Sequence, residues 1–281
     1  MAEQTKVKTL EKVVIRFSGD SGDGMQLTGT IFSNLSAVFG NEISTFPDYP
    51  AEVRAPQGTL SGVSGFQVHL GSRKILHPVI SRRIGGHESR RAEGERKTPK
   101  PNAIVLIDTD SFKKSDLDKA LFTTDDPFTE LGLTGVQVVA APISTMVKDG
   151  LVEFGLDNKS ALRCKNMFAL GLVCWLFERP LEEAMHMLQN KFAKKPVIAQ
   201  ANIKALTDGY NYGNNIHASV STYRIESKKA EPGFYTDVNG NKATSYGLIA
   251  AAEKAGLQLF LGSYRSLRLL IFYMNYLNVR I

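Results

Sequence analysis

The stretch from Val13 to Asn41 constrains the fold more than any other part of the chain. Val13-Val14-Ile15 opens a short β-branched run with the composition of a buried parallel strand. Glycines follow at 19, 22 and 24. Beyond them Leu27, Ile31, Leu35 and Phe39 recur at helical spacing, with Phe32 and Val38 beside them, and Gly40-Asn41 supplies a stop. Strand, glycine-rich turn and amphipathic helix together predict the opening of an α/β domain.

The turn has a definable chemistry. Free N–H groups at a helix start carry partial positive charge, and glycines let backbone approach a ligand. The spacing here is G-x-x-G-x-G, which differs from the dinucleotide G-x-G-x-x-G, and no G-K-[ST] follows. Asp20 and Asp23 would repel a phosphate. Three readings stay open for the turn by itself: a tight strand-to-helix connection, a nucleotide or coenzyme contact, or a metal site.

Downstream, three prolines between Phe46 and Gly58 predict an extended loop after a short strand. On it Glu52 and Arg54 project the same way, either as a surface ion pair or with Arg54 clamping a carboxylate or phosphate. Residues 60–70 predict a strand in which Gly62 and Gly65 mark close backbone approach or a bulge, with His69 as a structural residue. Residues 102–108 predict a buried strand ending in Asp108, which faces a crevice or caps a turn. A short helix over 113–122 and a buried strand over 136–142 follow. The α-rich part then holds a core helix over 160–177, a helix over 181–192 opened by Pro180, and a helix over 197–206 stopped at Gly209. Residues 210–215 read as a turn, His186 lies off the apolar stripe and is expected to face solvent, and His217 has no evident partner. Met1 to Leu10 reads as a polar lead and 223–237 as a linker. Tyr246 to Gly256 predicts a small-residue helix before a strand start at Leu257 to Leu261.

Charge matters because of where it lies. The formal excess is +6. Residues 73–100 carry nine Lys or Arg against three Glu, so the whole excess sits there and the rest of the chain is balanced. That segment has no apolar face and reads as a basic insertion or a solvated loop. It also lacks aromatics over 75–100, so no stacking platform accompanies Arg82, Arg83, Arg90 and Arg91. The two cysteines, Cys164 and Cys174, lie ten apart on a predicted helix and face different sides, which argues against a metal pair or disulfide. No secretory signal is visible, and the apolar run from Leu267 to Leu277 is too short to span a bilayer. A cytoplasmic protein without membrane or nucleic-acid partners is expected.

Several segments, in order, resemble one family. These are 17–24 (FSGDSGDG), 46–56 (FPDYPAEVRAP), 165–171 (KNMFALG) and 240–243 (GNKA). They are similar to the fused γ/α subunit of 2-oxoacid:ferredoxin oxidoreductases, most nearly the 2-oxoglutarate type, over 12–72 and 101–264. The resemblance implies a three-layer α/β/α γ domain over 11–221, a linker over 222–238, and the start of a thiamine-diphosphate-type pyrimidine domain over 239–281. It implies a β subunit that binds thiamine diphosphate and magnesium and carries iron–sulfur chemistry, with coenzyme A as co-substrate and ferredoxin as electron acceptor. None of these cofactors is expected to be held by this chain alone.

Two departures stand out. Residues 76–100 replace the family's glycine turn, apolar strand and Met-Asn-Pro loop, and 265–281 (RSLRLLIFYMNYLNVRI) replace a Pro-Ile-Thr-Pro motif. Both segments are expected to be read in a shifted frame, the second ending in a premature stop, and the chain to be truncated and inactive by itself. Sequencing the encoding DNA tests this: the idea fails if no one-base shift recovers an apolar strand at 76–100.

The function expected is that of an oxidoreductase subunit. An NAD(P)-linked enzyme using the 19–24 loop is one alternative, with Glu42 and Asp48 as weak ribose candidates. A nucleic-acid-binding module using 73–100 is another. The site residues expected are Gly19, Ser21, Gly22, Asp23, Gly24 and Gln26 in the loop, with Arg54 as an anion contact. None is a catalytic nucleophile or base, and none is a metal ligand.

Overall fold

The computed structural model describes residues 7–20, 24–49, 62–73, 75, 103–112, 114–119, 122–124, 126–130, 136–216, 221–227, 238 and 240–260. The chain divides into two compact units, Met1–Ala230 and Glu231–Ile281. In chain order the first unit holds β1 (Val7–Leu10), β2 (Lys12–Asp20), α1 (Met25–Val38), β3 (Glu42–Asp48), β4 (Val63–Gly71), β5 (Ile104–Asp108), α2 (Lys114–Lys119), α3 (Pro127–Glu130), β6 (Gln137–Ala141), α4 (Ile143–Gly150), α5 (Asn158–Leu162), α6 (Lys165–Leu176), α7 (Glu182–Lys191), α8 (Pro196–Asn215) and β7 (Thr222–Ile225). The second unit holds α9 (Gly240–Ala255).

The α/β class holds, with mixed strand directions. The strands form an antiparallel sheet in the order β2-β4-β3 and two parallel pairs, β5-β6 and β1-β7. The run at Val13 was expected to be a parallel strand, yet Val13 faces Leu70 and Phe17 faces Phe66 in antiparallel register. β-Branched composition reports burial of a strand, not the direction of its neighbour. Pro47 has no N–H to give a ladder, and it sits on β3, a terminal strand of its sheet.

One face of the antiparallel sheet carries Phe17, Phe66, Val68 and Leu70, and α1 buries Ile31, Phe32 and Leu35 against it. The Phe17 and Phe32 rings meet edge to face at 5.8 Å. Each such buried side chain stabilises by about 1.5–3 kcal/mol. Gly29 lets the helix descend onto the sheet, because a Cβ there would lie 2.7 Å from Phe66 Cβ. α1 ends where Gly40, at φ +91°, turns the chain. The apolar stripe is shorter than its spacing suggested: Val38 is 71% exposed, and Phe39 lies 4.3 Å beneath the Arg179 guanidinium.

Behind α1 the long helices pack as a second layer. α6 is buried on nearly every side, including Met167, Phe168, Leu170 and Trp175, so Met167 and Trp175 are packing residues as expected. The single helix expected over 160–177 is two, α5 and α6, separated at Arg163-Cys164. α8 runs nine residues beyond the expected helix at Leu206, and the turn expected at 210–215 is helical. Gly209 is therefore not a stop. It is where the α8 backbone rests on α6: a Cβ at Gly209 would lie 2.7 Å from the Phe168 carbonyl carbon, and one at Gly171 would lie 2.8 Å from Tyr210 N. A glycine that ends a helix and one that admits a neighbour look alike in a lone sequence.

Two further expectations fail for a shared reason. Val7–Leu10, expected within a polar lead, is β1, and Thr222–Ile225, expected at the head of a linker, is β7; they pair in parallel from Val7–Thr222 to Leu10–Ile225. Each is only four residues long, too short to show a strand pattern until its partner is known. In the second unit, α9 begins six residues earlier than expected, with Thr244 and Ser245 hydroxyls donating to the Gly240 and Asn241 carbonyls at 2.8 Å. Residues 257–260 form no strand, and Phe260 is 89% exposed. Leu257 N instead donates back to the Ala252 carbonyl at 3.0 Å, closing the end of α9.

Candidate functional site

The glycine turn bridges the end of β2 and the start of α1. Gly24 is the N-cap of α1 in the left-handed region, at φ +89°, a conformation that disfavours any side chain. Among the described residues no side chain caps this helix start, and the first turn of α1 holds no acidic residue, so its N–H groups are available to a ligand. A Cβ on Gly24 would lie 3.4 Å from Asn166 Nδ2, so α6 borders the turn. A Cβ on Gly19 would lie 3.0 Å from Met25 Cε, which packs the other side of the turn.

Gln26 ties this helix start to the sheet. Its Nε2 donates to the carbonyl oxygens of Gly65 at 2.8 Å and Asp48 at 3.2 Å, and lies 3.1 Å from Ser64 Oγ. Its Oε1 is buried without a hydrogen-bond partner among the described residues. On the opposite sheet face Arg16 Nη2 donates to Asp48 Oδ2 at 2.7 Å and Arg16 Nε to Ser18 Oγ at 3.1 Å. Arg16 reaches Asp48 across Gly65, where a Cβ would come within 2.7 Å of Nη2. The glycine expected at 65 to mark close approach does so. It gives passage to an arginine.

Of the expected site residues, Gly19, Gly24 and Gln26 come together at this sheet end. Ser21, Gly22, Asp23 and Arg54 lie outside the described residues, as do Glu52, His217 and nearly all of 73–100. The Arg16–Asp48 pair was not singled out from sequence. Strand alternation carried the signal: both residues fall on the face away from α1 once β2, β3 and β4 are paired.

The remaining candidates resolve as structure. Asp108 caps instead of facing a crevice: it accepts from Asp110 N at 3.2 Å, from Ser144 Oγ at 2.6 Å and from Ser144 N at 3.3 Å. Asp110 in turn accepts from Thr145 N at 2.7 Å, so two aspartates after β5 hold the start of α4. His69 is buried in β4, and His186 is exposed on α7. Both cysteines are free and buried, and burial pushes the Cys164 thiol up to about 11 and the Cys174 thiol up to about 12. They do not fit thiolate ligation of an iron–sulfur cluster. Among the described residues no group of three or more His, Cys, Asp or Glu could hold a metal ion. The described residues therefore do not fit magnesium or an iron–sulfur cluster.

A buried cation went unnoticed in the sequence. Arg179 is 1% exposed, donates from Nη2 to Asn41 Oδ1, and stacks over Phe39. Burial lowers its pKa to about 10. Asn41 Nδ2 passes the contact on to the Glu226 carbonyl at 3.2 Å, beside β7. Glu178, at φ +50°, accepts from Arg224 Nε at 2.8 Å. This cluster joins the ends of α1, α6 and β7. Glu178-Arg179-Pro180 looks like any polar helix end in sequence, so nothing there announced it.

A glycine turn at the end of an antiparallel sheet, backed by buried helices, defines an α/β domain. The pattern of the family described as "Pyruvate ferredoxin/flavodoxin oxidoreductase" matches residues 14–212. The chain belongs to that family. It is 40% identical over 259 residues to the 2-oxoglutarate oxidoreductase subunit KorA of Mycobacterium tuberculosis, covering 91% of this chain and 39% of that protein. The chain therefore spans about two-fifths of that relative's length. A solved structure, the 2-oxoglutarate:ferredoxin oxidoreductase from Magnetococcus marinus with 2-oxoglutarate, coenzyme A and succinyl-CoA bound, superposes with a TM-score of 0.61 at 24% identity. It covers 85% of this chain and 37% of that one, and shows a shared fold. Among the described residues no helix is long and apolar enough to cross a membrane.

Proposed function

We propose that this chain supplies the γ-type scaffold of a 2-oxoacid:ferredoxin oxidoreductase, with 2-oxoglutarate as the oxoacid. The observation that carries the reading is the 40% identity to KorA across 91% of the chain. The reaction is oxidative decarboxylation to an acyl-coenzyme A with reduction of ferredoxin. A β subunit supplies the thiamine diphosphate, magnesium and iron–sulfur cluster, for which the described residues have no ligand set. Thiamine diphosphate contributes a carbanion-stabilising thiazolium there.

The part of this chain is to hold an anionic coenzyme. The start of α1 offers uncapped helix N–H groups beside a left-handed glycine, and Gln26 Oε1 offers a buried acceptor. Ser21, Gly22 and Asp23 complete the turn, and Arg54 adds a cation from the next loop. Coenzyme A carries both phosphates and amide N–H donors, which suits that combination. The reading divides the chain into a γ domain, a linker and the start of a pyrimidine-type domain, with β1 and β7 belonging to the first of these by their pairing, and the compartment is the cytoplasm.

The NAD(P) alternative loses its structural basis. β4 separates β2 from β3 and is antiparallel to both, and Asp48 is paired with Arg16. A dinucleotide site needs adjacent parallel strands with a free ribose-binding acid.

The test is a kinetic split in the assembled enzyme. Arg54→Gln is expected to raise KM for coenzyme A about tenfold, the loss of one hydrogen bond to a charged group, with KM for 2-oxoglutarate unchanged. An unchanged KM for coenzyme A refutes Arg54 as the anion contact.

A further inference from the structure

The segment 165–171 (KNMFALG) opens α6. Phe168 and Gly171 have a packing role in it, since the α8 backbone rests on both. Asn166 has no such role. The other buried residues of α6 are apolar or glycine, whereas Asn166, 5% exposed, puts an amide into the same interior. Burying an amide where a hydrocarbon would fit costs free energy unless polar groups meet it. Its position shows what it serves. Asn166 Nδ2 lies 3.4 Å from the point a Gly24 Cβ would occupy, and Gly24 is the N-cap of α1. Neither α1 nor α6 carries an acidic residue in its first turn, and α6 begins with Lys165. Two helix starts therefore come together at Gly24 and Asn166, and both dipoles favour an anion there. Independently of the helix ends, Gln26 Oε1 in the first turn of α1 is buried with no hydrogen-bond partner among the described residues. Its amide is held with Nε2 toward the Asp48 and Gly65 carbonyls, so the oxygen stays an acceptor without a donor.

We propose that Asn166 is a further anion contact of the coenzyme site, its Nδ2 donating to a phosphate oxygen held at the start of α1. This rests on the reading of that helix start as the coenzyme site. It assigns the phosphate end of the coenzyme to the side of the turn where Gly24 meets Asn166, and leaves Gln26 Oε1 to an amide N–H of the same ligand. A hydrogen bond from a neutral amide to an ionised phosphate is of the stronger, charge-assisted kind, and a buried donor makes it without first giving up bulk water. Asn166 thereby sets a preference for a phosphorylated ligand over an uncharged one of the same amide chemistry.

Titration calorimetry of the chain with coenzyme A, and with pantetheine, which lacks the phosphates, reads this directly. The unmutated chain is expected to bind coenzyme A more tightly than pantetheine. Asn166→Ala removes one hydrogen bond to a charged group and should weaken coenzyme A about tenfold while leaving pantetheine unchanged. Asn166→Asp keeps the shape and sets a carboxylate against the phosphate. It should weaken coenzyme A more than alanine does, again sparing pantetheine. A structural asparagine would move both ligands together or neither. If neither variant folds, the isotope-labelled unmutated chain gives the answer: the Asn166 side-chain amide resonance should shift with coenzyme A and stay in place with pantetheine. A resonance that responds to neither ligand, or to both alike, overturns the contact. So does equal weakening of the two ligands in the variants. An unmutated chain that prefers coenzyme A, with both variants keeping that preference, overturns the role of Asn166 and leaves the coenzyme reading standing. An unmutated chain without the preference overturns both.

Discussion

Replacing Gly209 with alanine should unseat the helical layer. The added Cβ would lie 2.7 Å from the Phe168 carbonyl carbon and 2.9 Å from its Cα. These are backbone atoms, so no rotamer change relieves the clash. Restoring ordinary contact at about 3.5–4 Å requires α8 to move off α6 by roughly 1 Å. Gly171 repeats the problem from the other side, with a Cβ 2.9 Å from the Leu206 carbonyl carbon. Alanine gains about 1 kcal/mol in helix propensity over glycine. Overpacking a buried contact costs about 3 kcal/mol or more, and a separated interface then loses dispersion contacts along its length. We expect Gly209→Ala to be destabilised by about 2–4 kcal/mol net, read from urea unfolding followed by far-ultraviolet circular dichroism. Gly213→Ala should cost less, since its neighbour is the Trp175 side chain, which can shift. Gly247 is the internal control: nothing lies within 4 Å of its would-be Cβ in α9. There alanine should raise helicity. A Gly209→Ala protein as stable as wild type would refute the close-approach reading.

Other perturbations test separate parts of the account. Asn41→Leu removes the acceptor of a buried guanidinium and should cost about 3 kcal/mol, while adding Arg179→Met should recover part of the loss in a double-mutant cycle. Ellman's reagent should leave Cys164 and Cys174 unmodified in the native chain and modify both in denaturant, since both thiols are buried and their pKa values raised. Asp157 caps α5 by accepting from Ser160, which holds its pKa below the usual value of 3.8. Its stabilising effect is therefore present above the unfolded pKa and is lost as pH falls through the folded one. Asp157→Ala should lower Tm at pH 7 and make no difference once both states are protonated.

The sequence was most legible where one element carries its own pattern. The β2–turn–α1 unit, the strand with its glycine at 65, the strands at 104–108 and 137–141 and the buried character of α6 all follow from local periodicity and composition, although the strand at 104–108 is half-buried along its length and not the buried strand expected. It was least legible where meaning depends on a distant partner. β1 and β7 are strands only because they meet each other. Gly209 is an interface residue only because Phe168 faces it. The direction of β2 is set by β4, some fifty residues on. At the candidate site, the glycine spacing marked the turn between β2 and α1, with Gly24 as the left-handed cap. Arg16–Asp48 and Arg179–Asn41 could not be named, because each joins residues whose neighbours in sequence give no sign of burial.

The central claim is that this chain is a positioning scaffold whose chemistry requires a second subunit. The direct measurement is viologen reduction driven by 2-oxoglutarate and coenzyme A, with the chain alone and with the chain produced together with a β subunit. The account predicts no reduction from the chain alone and coenzyme A-dependent reduction when the chain is assembled with its partner subunit. Turnover by the isolated chain, or a full assembly that reduces viologen with NADPH in place of the oxoacid, would contradict it.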